Sequence, residues 1–457
     1  MRLLLLLIVA AGNVYLWTDS GPVVEYIARD HHTLLGRYSV ERFSGMIVFL
    51  LISVTVLYLV FGKTRGLRYR VMHILVIGIS VAGSVIAAEY VLRAFAPEPL
   101  YVLNENFRIR PPHYQAEYVF HDKPLARRSY PNLAPGYASV PITLQTDTRG
   151  FRNADGIDQA DVLFVGDSFT EGPEVGGDQV WTFLFSLETG VSTYNLGTSG
   201  EDPGGYVHKL RQFALQLKPH TLVLTIYEGN DFRGFESSVN QSAVKTSILR
   251  LKIKQALIDY LGPINARGPV WGAEIIDWLP MEIESGPSKA YYAFKPRNIG
   301  ELYRTEQEFN NQSGWKQARL SIEEIARFGK ENDLRLIVVY APLKTHVLLP
   351  IVIKRLNANR LLEFAKLHRS KLPAESGAMI DGQQFIEQFF RNIDVQENAV
   401  KQLCAELQIE FLSLTEALRQ ALAEGQQVYY TYDQHWTPIG HEVVAREFAT
   451  YWRNRIQ

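Results

Sequence analysis

Three apolar stretches, nearly free of charge, crowd the first 95 residues: Leu3 to Trp17, Met46 to Phe61 and Val71 to Leu92. A membrane-spanning helix needs about 20 mostly apolar residues, with about 17 as the lower end. The third stretch meets that length easily and the second is near the limit. The first is short enough to be a signal-peptide core, with Ala10-Ala11 where a cleavage site belongs. Residues 1–95 are therefore expected to form a membrane anchor of about three transmembrane helices. The connector Lys63-Thr64-Arg65-Gly66-Leu67-Arg68-Tyr69-Arg70 is short and purely basic, which holds it in the cytoplasm. Everything after Leu92 then lies outside, whether the first stretch is cleaved or retained. The expected location is multi-pass in the cell membrane, with the bulk of the chain extracytoplasmic, either periplasmic or extracellular. Glu89 falls near the end of the third stretch, at the expected interface.

Of 457 residues, roughly 360 remain, ample for one large α/β domain with insertions. Five short apolar runs read as strands: Asp161 to Val165, Val191 to Tyr194, Thr221 to Tyr227, Leu334 to Ala341 and Ile409 to Leu414. Helical patterns precede the fourth and fifth at about 315–331 and 396–407, and a closing helix runs from about Pro438 to Trp452 with Ile439, Val443, Val444 and Phe448 as its apolar stripe. Strands alternating with helices predict a parallel five-stranded sheet with right-handed crossovers. Pro97, Pro99, Pro111 and Pro112 mark 96–145 as an irregular linker, leaving 146–457 as the catalytic domain. An insertion at about 233–313 carries a helical pattern from Ile248 to Leu261 and then Trp271, Trp278, Tyr291 and Tyr292, which either line a substrate cleft or pack the insertion onto the core. A formal net charge of −1 offers no basic excess for nucleic acid. Cys404 is the only cysteine, so an intramolecular disulfide and a cysteine-based metal site are excluded. Its place beside Val400 and Leu403 on a helical pattern predicts a buried, structural thiol.

Chemistry enters at Gly166-Asp167-Ser168-Phe169-Thr170-Glu171-Gly172, where a serine follows a strand-like run and precedes a glycine-punctuated turn. In isolation such a serine reads as a turn or N-cap residue. Three further segments change that reading. Asn195-Leu196-Gly197-Thr198-Ser199-Gly200 and Gly229-Asn230-Asp231 follow the second and third strands, and the carboxyl ends of strands are where open α/β sheets bind ligands. Asp433-Gln434-His435-Trp436 lies just before the closing helix. A serine, two oxyanion donors and an acid–histidine pair are the parts of nucleophilic acyl chemistry. Lys344 ends the fourth strand on the same side and reads as a solvated lysine. Thr146 to Arg152 reads as a structural turn.

Together the four blocks resemble the SGNH or GDSL-type hydrolases, over roughly residues 140 to 457. The resemblance implies a flavodoxin-like domain without metal or other cofactor. Ser168 would be the nucleophile and His435 the base. The oxyanion hole would be Ser168, Gly200 and Asn230, with Gly197 the alternative glycine. One departure concerns the acid: the family places it three residues before the histidine, and here that residue is Tyr432. Asp433, two residues ahead, takes the role, since side chains at i and i+2 of an extended segment point the same way. The Asp-x-His-Trp form resembles the alginate O-acetyltransferase branch of the superfamily. The implied activity is an esterase acting on acyl esters, with acetyl the expected group, of cell-envelope glycans or lipids. An O-acyltransferase of an extracytoplasmic polysaccharide and a catalytically silent glycan-binding component of an envelope complex remain alternatives, and a membrane partner protein is left open.

Overall fold

The computed structural model describes residues 2–18, 33–35, 38–62, 66–94, 102–104, 107–122, 135–233, 248–261, 281–285, 288–366 and 381–456. The chain divides into two compact units: Met1–Pro97 with Leu125–Leu133 and Ala243–Ile276, and the remainder.

The larger unit is built on β1 (Val162–Val165), β2 (Thr193–Asn195), β3 (Thr221–Tyr227), β4 (Arg335–Ala341) and β5 (Glu410–Ser413), all parallel in the order 2-1-3-4-5. The expected five-stranded parallel sheet is thus present, with ends within two residues of those read from the apolar runs. Every residue of β1 and β3 is buried, because helices cover both faces. Alternate β1 side chains serve opposite faces. Leu163 and Val165 join one core with Tyr206, Leu210, Trp315, Ile322 and Cys404. Phe164 points the other way, into an aromatic group with Trp181 at 4.8 Å and Phe448 at 5.7 Å between ring centres. Strand order reverses on either side of β1, so its carboxyl end and that of β3 border the switch point where such sheets bind ligands.

Part of the stretch expected to be an irregular linker is folded. Gln115–Phe120 pairs antiparallel with Val140–Gln145, and Val102–Asn104 with Phe107–Ile109. Val140, Ile142 and Leu144 alternate inward and bury against Tyr430. In the insertion, Met281–Ser285 and Ser288–Tyr292 form a hairpin. Tyr292 is buried in it, whereas Trp271 and Trp278 lie outside the described residues.

The smaller unit holds helices Arg2–Thr18, Val40–Phe61 and Leu67–Ala94, each within the expected anchor. Two of them, over Arg42–Phe61 and Leu67–Val91, are long and apolar enough to cross a membrane; Leu3–Trp17 is shorter. The expected helix Ile248–Leu261 is part of this unit. Its first turn is capped by Glu89, whose Oε2 accepts from Leu249 N at 2.9 Å, and its end accepts from Leu35 N at 2.9 Å. Leu257 and Leu261 pack with Trp17 against a cluster of Leu34, Tyr38, Val40, Phe43 and Met46.

Candidate active site

β1 runs into Gly166, where a Cβ would collide with the side chains of Thr170 and Thr225; only glycine lets the chain turn this tightly. Asp167 caps the short helix Ser168–Glu171 by accepting from Phe169 N at 3.0 Å, and Gly172, at φ 66°, closes it. Ser168 is thereby held at the carboxyl end of β1, with its Oγ 2.7 Å from His435 Nε2. On the far side of the ring, His435 Nδ1 lies 2.5 Å from Asp433 Oδ1. The same oxygen accepts from His435 N at 2.8 Å, which fixes the two-residue spacing as a local turn. With Nδ1–H donated to carboxylate, Nε2 is the acceptor for the serine hydroxyl. Phe169 packs on the imidazole at 4.8 Å.

A second carboxylate faces the ring. Glu174 Oε1 lies 3.2 Å from His435 Nδ1, its side chain is 13% exposed, and Oε2 is buried without a partner among the described residues. Burial pushes Glu174 up to about 8, against the pull of His435. Burial opposes the imidazolium, but Glu174 and Asp433 outweigh it and raise His435 to about 9. Asp433 stays well below the usual carboxylate range: its desolvation is overcome by His435, with Lys295 adding to the effect. Glu174, Asp433 and His435 place ligand-type atoms within 4.8 Å of one another, but the imidazole is engaged at both nitrogens, as in an acid–base relay.

The donors named for the oxyanion differ in availability. Gly197 N is already committed to Asn195 Oδ1 at 2.8 Å, and a Cβ at Gly197 would strike the backbone of Thr170 and Glu171. Among the described residues, the N–H groups of Ser168 and Gly200 donate to no other group. Gly200 is at φ 70°, with the Arg108 guanidinium beside it. Asn230 sits in the turn after β3, fixed by Asp231, which accepts from Tyr227 N at 2.9 Å and Tyr206 Oη at 3.0 Å. The Asn230 amide lowers the proton affinity of Asp167, although burial keeps that carboxyl raised overall.

Several supports carry no motif. Glu171 ties the Ser168–Glu171 helix to the second block, binding Arg110 Nε at 2.5 Å and accepting from Ser199 N at 2.7 Å. Arg152, in the turn read as structural, donates to the carbonyls of Gly172 and Val175. Asp122, from the stretch read as linker, accepts from the backbone N–H groups of Thr431 at 2.7 Å, Tyr432 at 3.0 Å and Asp433 at 3.0 Å. Lys344 is not solvated as expected: fully buried, it donates to the carbonyls of Tyr430, Thr431 and Asp433 at 2.8–3.1 Å. Carbonyls converging from a remote loop make that burial tolerable for a cation. Cys404 is buried as expected, its thiol pushed up to about 12 by desolvation.

Residues 388–457 match the family described as SGNH hydrolase-like domain, acetyltransferase AlgX. The resemblance to SGNH-type hydrolases, with an AlgX-like C-terminal block, is borne out by that match over the segment that carries Asp433 and His435. No curated protein matches the chain. Among solved structures, a putative lipolytic protein of the G-D-S-L family from Desulfitobacterium hafniense is similar at 10% identity, covering 63% of this chain and 97% of its own, with a TM-score of 0.30. A catalytic mutant of Axe2, an acetylxylan esterase from Geobacillus stearothermophilus, is similar at 13% identity, covering 64% and 93%, with a TM-score of 0.31.

Proposed function

We propose that the chain is a membrane-anchored serine enzyme of the SGNH type that acts on acyl esters of cell-envelope glycans or lipids. The observation that carries this reading is the row Ser168–His435–Asp433, with contacts of 2.7 and 2.5 Å on opposite ring nitrogens. His435 Nε2 takes the proton as Ser168 Oγ bonds to the acyl carbon. The oxyanion is held by the N–H groups of Ser168 and Gly200 and by the Asn230 amide. The alcohol leaves with the proton from His435, and a water or a sugar hydroxyl, deprotonated by the same nitrogen, releases the acyl group. No step calls on a metal or another cofactor.

The strand order 2-1-3-4-5 supports a flavodoxin-like catalytic domain, in this reading over 146–457 with the insertion at about 233–313, preceded by a partly folded connecting segment over 96–145 and an anchor over 1–95. The apolar window within Leu67–Val91 has no buried share, which suits lipid rather than the core of a globular protein. In this reading the protein is multi-pass and the catalytic domain extracytoplasmic. The match of 388–457 to an acetyltransferase family favours a second reading, transfer of the acyl group to a polysaccharide hydroxyl.

Purified protein incubated with an aryl acetate is expected to release the phenol and to accumulate an acyl mass on the peptide that carries Ser168. Ser168→Ala should lose both while keeping its thermal melt. A folded Ser168→Ala variant with undiminished turnover would overturn the assignment.

A further inference from the structure

We infer that Glu174 is a second acid on His435, a positioning residue that shares the Nδ1 side of the base with Asp433 and sets the pH range in which it works. The inference rests on the proposed esterase reading and on three geometric observations. First, Asp433 Oδ1 is committed twice, to His435 N and to Nδ1, so the acid that the motif supplies also serves the local turn. Second, Glu174 Oε1 approaches the same nitrogen at 3.2 Å, while Oε2 has no partner among the described residues. Third, Glu174 is braced on both sides. Pro173 O accepts from Tyr118 Oη at 2.6 Å, and Glu174 O accepts from Tyr430 Oη at 2.7 Å, so its approach to the ring is built into the scaffold.

Other charges face this pair. Asp167 acts on His435, and Lys295 acts on Asp433. Glu171 acts on Glu174, which in turn influences Arg152, Tyr118 and Tyr430. His441, near His435, is lowered to about 3 by burial and stays neutral. Glu174 is the leading electrostatic cause that raises His435, and the sign of its effect follows. A carboxylate stabilises the imidazolium, and only the neutral imidazole can accept the serine proton. Activity should therefore rise with pH through the range near 9, and removing the Glu174 charge should bring that rise to lower pH.

The test is the pH profile of kcat/KM for an aryl acetate, using the full-length protein in detergent. Glu174→Gln is expected to keep the fold, lower kcat by about tenfold at most and move the rising limb down by about 1 pH unit or more. Asp433→Asn should retain part of the activity through Glu174. The variant lacking both carboxylates should fall by about 10³–10⁴-fold, beyond the product of the single losses. A Glu174→Gln profile superimposed on that of the parent would overturn the inference. An arm independent of turnover separates this outcome from failure of the esterase reading. The imidazole resonance lost in His435→Gln should titrate at lower pH in Glu174→Gln, even if no ester is hydrolysed, and an unmoved titration would overturn the role. Glu174→Met, of similar volume and uncharged, serves if the amide variant does not fold.

Discussion

Gly197 and Gly200 stand three residues apart in one loop, and the structure separates them by what their N–H groups already do. That of Gly197 closes a turn with Asn195, while that of Gly200 donates to no group among the described residues. In the proposed reaction Asn230 supplies the side-chain donor, from the turn after β3. Asn230→Ala is expected to lower kcat by on the order of 10²–10³ with little change in KM, because an oxyanion donor acts mainly in the transition state; steady-state kinetics on an aryl acetate would read this. Ser168, Asp433 and His435 were legible because each lies inside a short contiguous block whose flanks announce a strand end or a helix start. Glu174 was not. It follows Pro173 in a turn with no periodicity, and its meeting with His435 joins distant parts of the chain, which local spacing does not encode.

At the next scale up, the loop from Tyr430 to His435 hangs between two buried charges of opposite sign. Asp122 collects its N–H groups and Lys344 its carbonyls, so the backbone around Asp433 is fixed from both sides before the side chains act. Lys344→Met should leave the carbonyls of Tyr430, Thr431 and Asp433 unsatisfied, costing about 2–5 kcal/mol of stability, and should depress kcat more than it changes KM. Thermal melts followed by kinetics below the melting range would check both. The five strands of the sheet could be read from the sequence because buried parallel strands are unbroken apolar runs. The pairing of Gln115–Phe120 with Val140–Gln145 could not, since the first strand is largely exposed and prolines punctuate its surroundings. Lys344 was misread for a related reason: a lysine after a strand end looks solvent-facing until the loop that covers it is in place.

For the molecule as a whole, the proposed orientation depends on four basic residues, Lys63 and Arg65 between the two longest apolar helices and Arg68 and Arg70 in the first turn of the second. Holding them in the cytoplasm sends the chain after Leu92 outward. A reporter active only outside the cytoplasm should therefore work when fused after Gln457 and fail when fused at Gly66. The reverse pattern would put Ser168 among cytosolic esters and remove envelope glycans from consideration. Apolar length was enough to locate the N-terminal helices in the sequence; that Ile248–Leu261 belongs with them was not readable, since its partners Glu89, Leu35 and Trp17 are far away in sequence.

That helix also bears on shedding by proteases. The chain leaves the smaller unit after Pro97 and comes back to it at Leu125–Leu133 and again at Ala243–Ile276. A single nick at the first crossing would not free the remainder, because Ile248–Leu261 would stay docked on the N-terminal helices through Leu257, Leu261 and the Glu89 cap. If the apolar helices anchor the chain as proposed, release from the membrane would require further cuts or the undocking of that helix, and a molecule clipped once would still sediment with the bilayer.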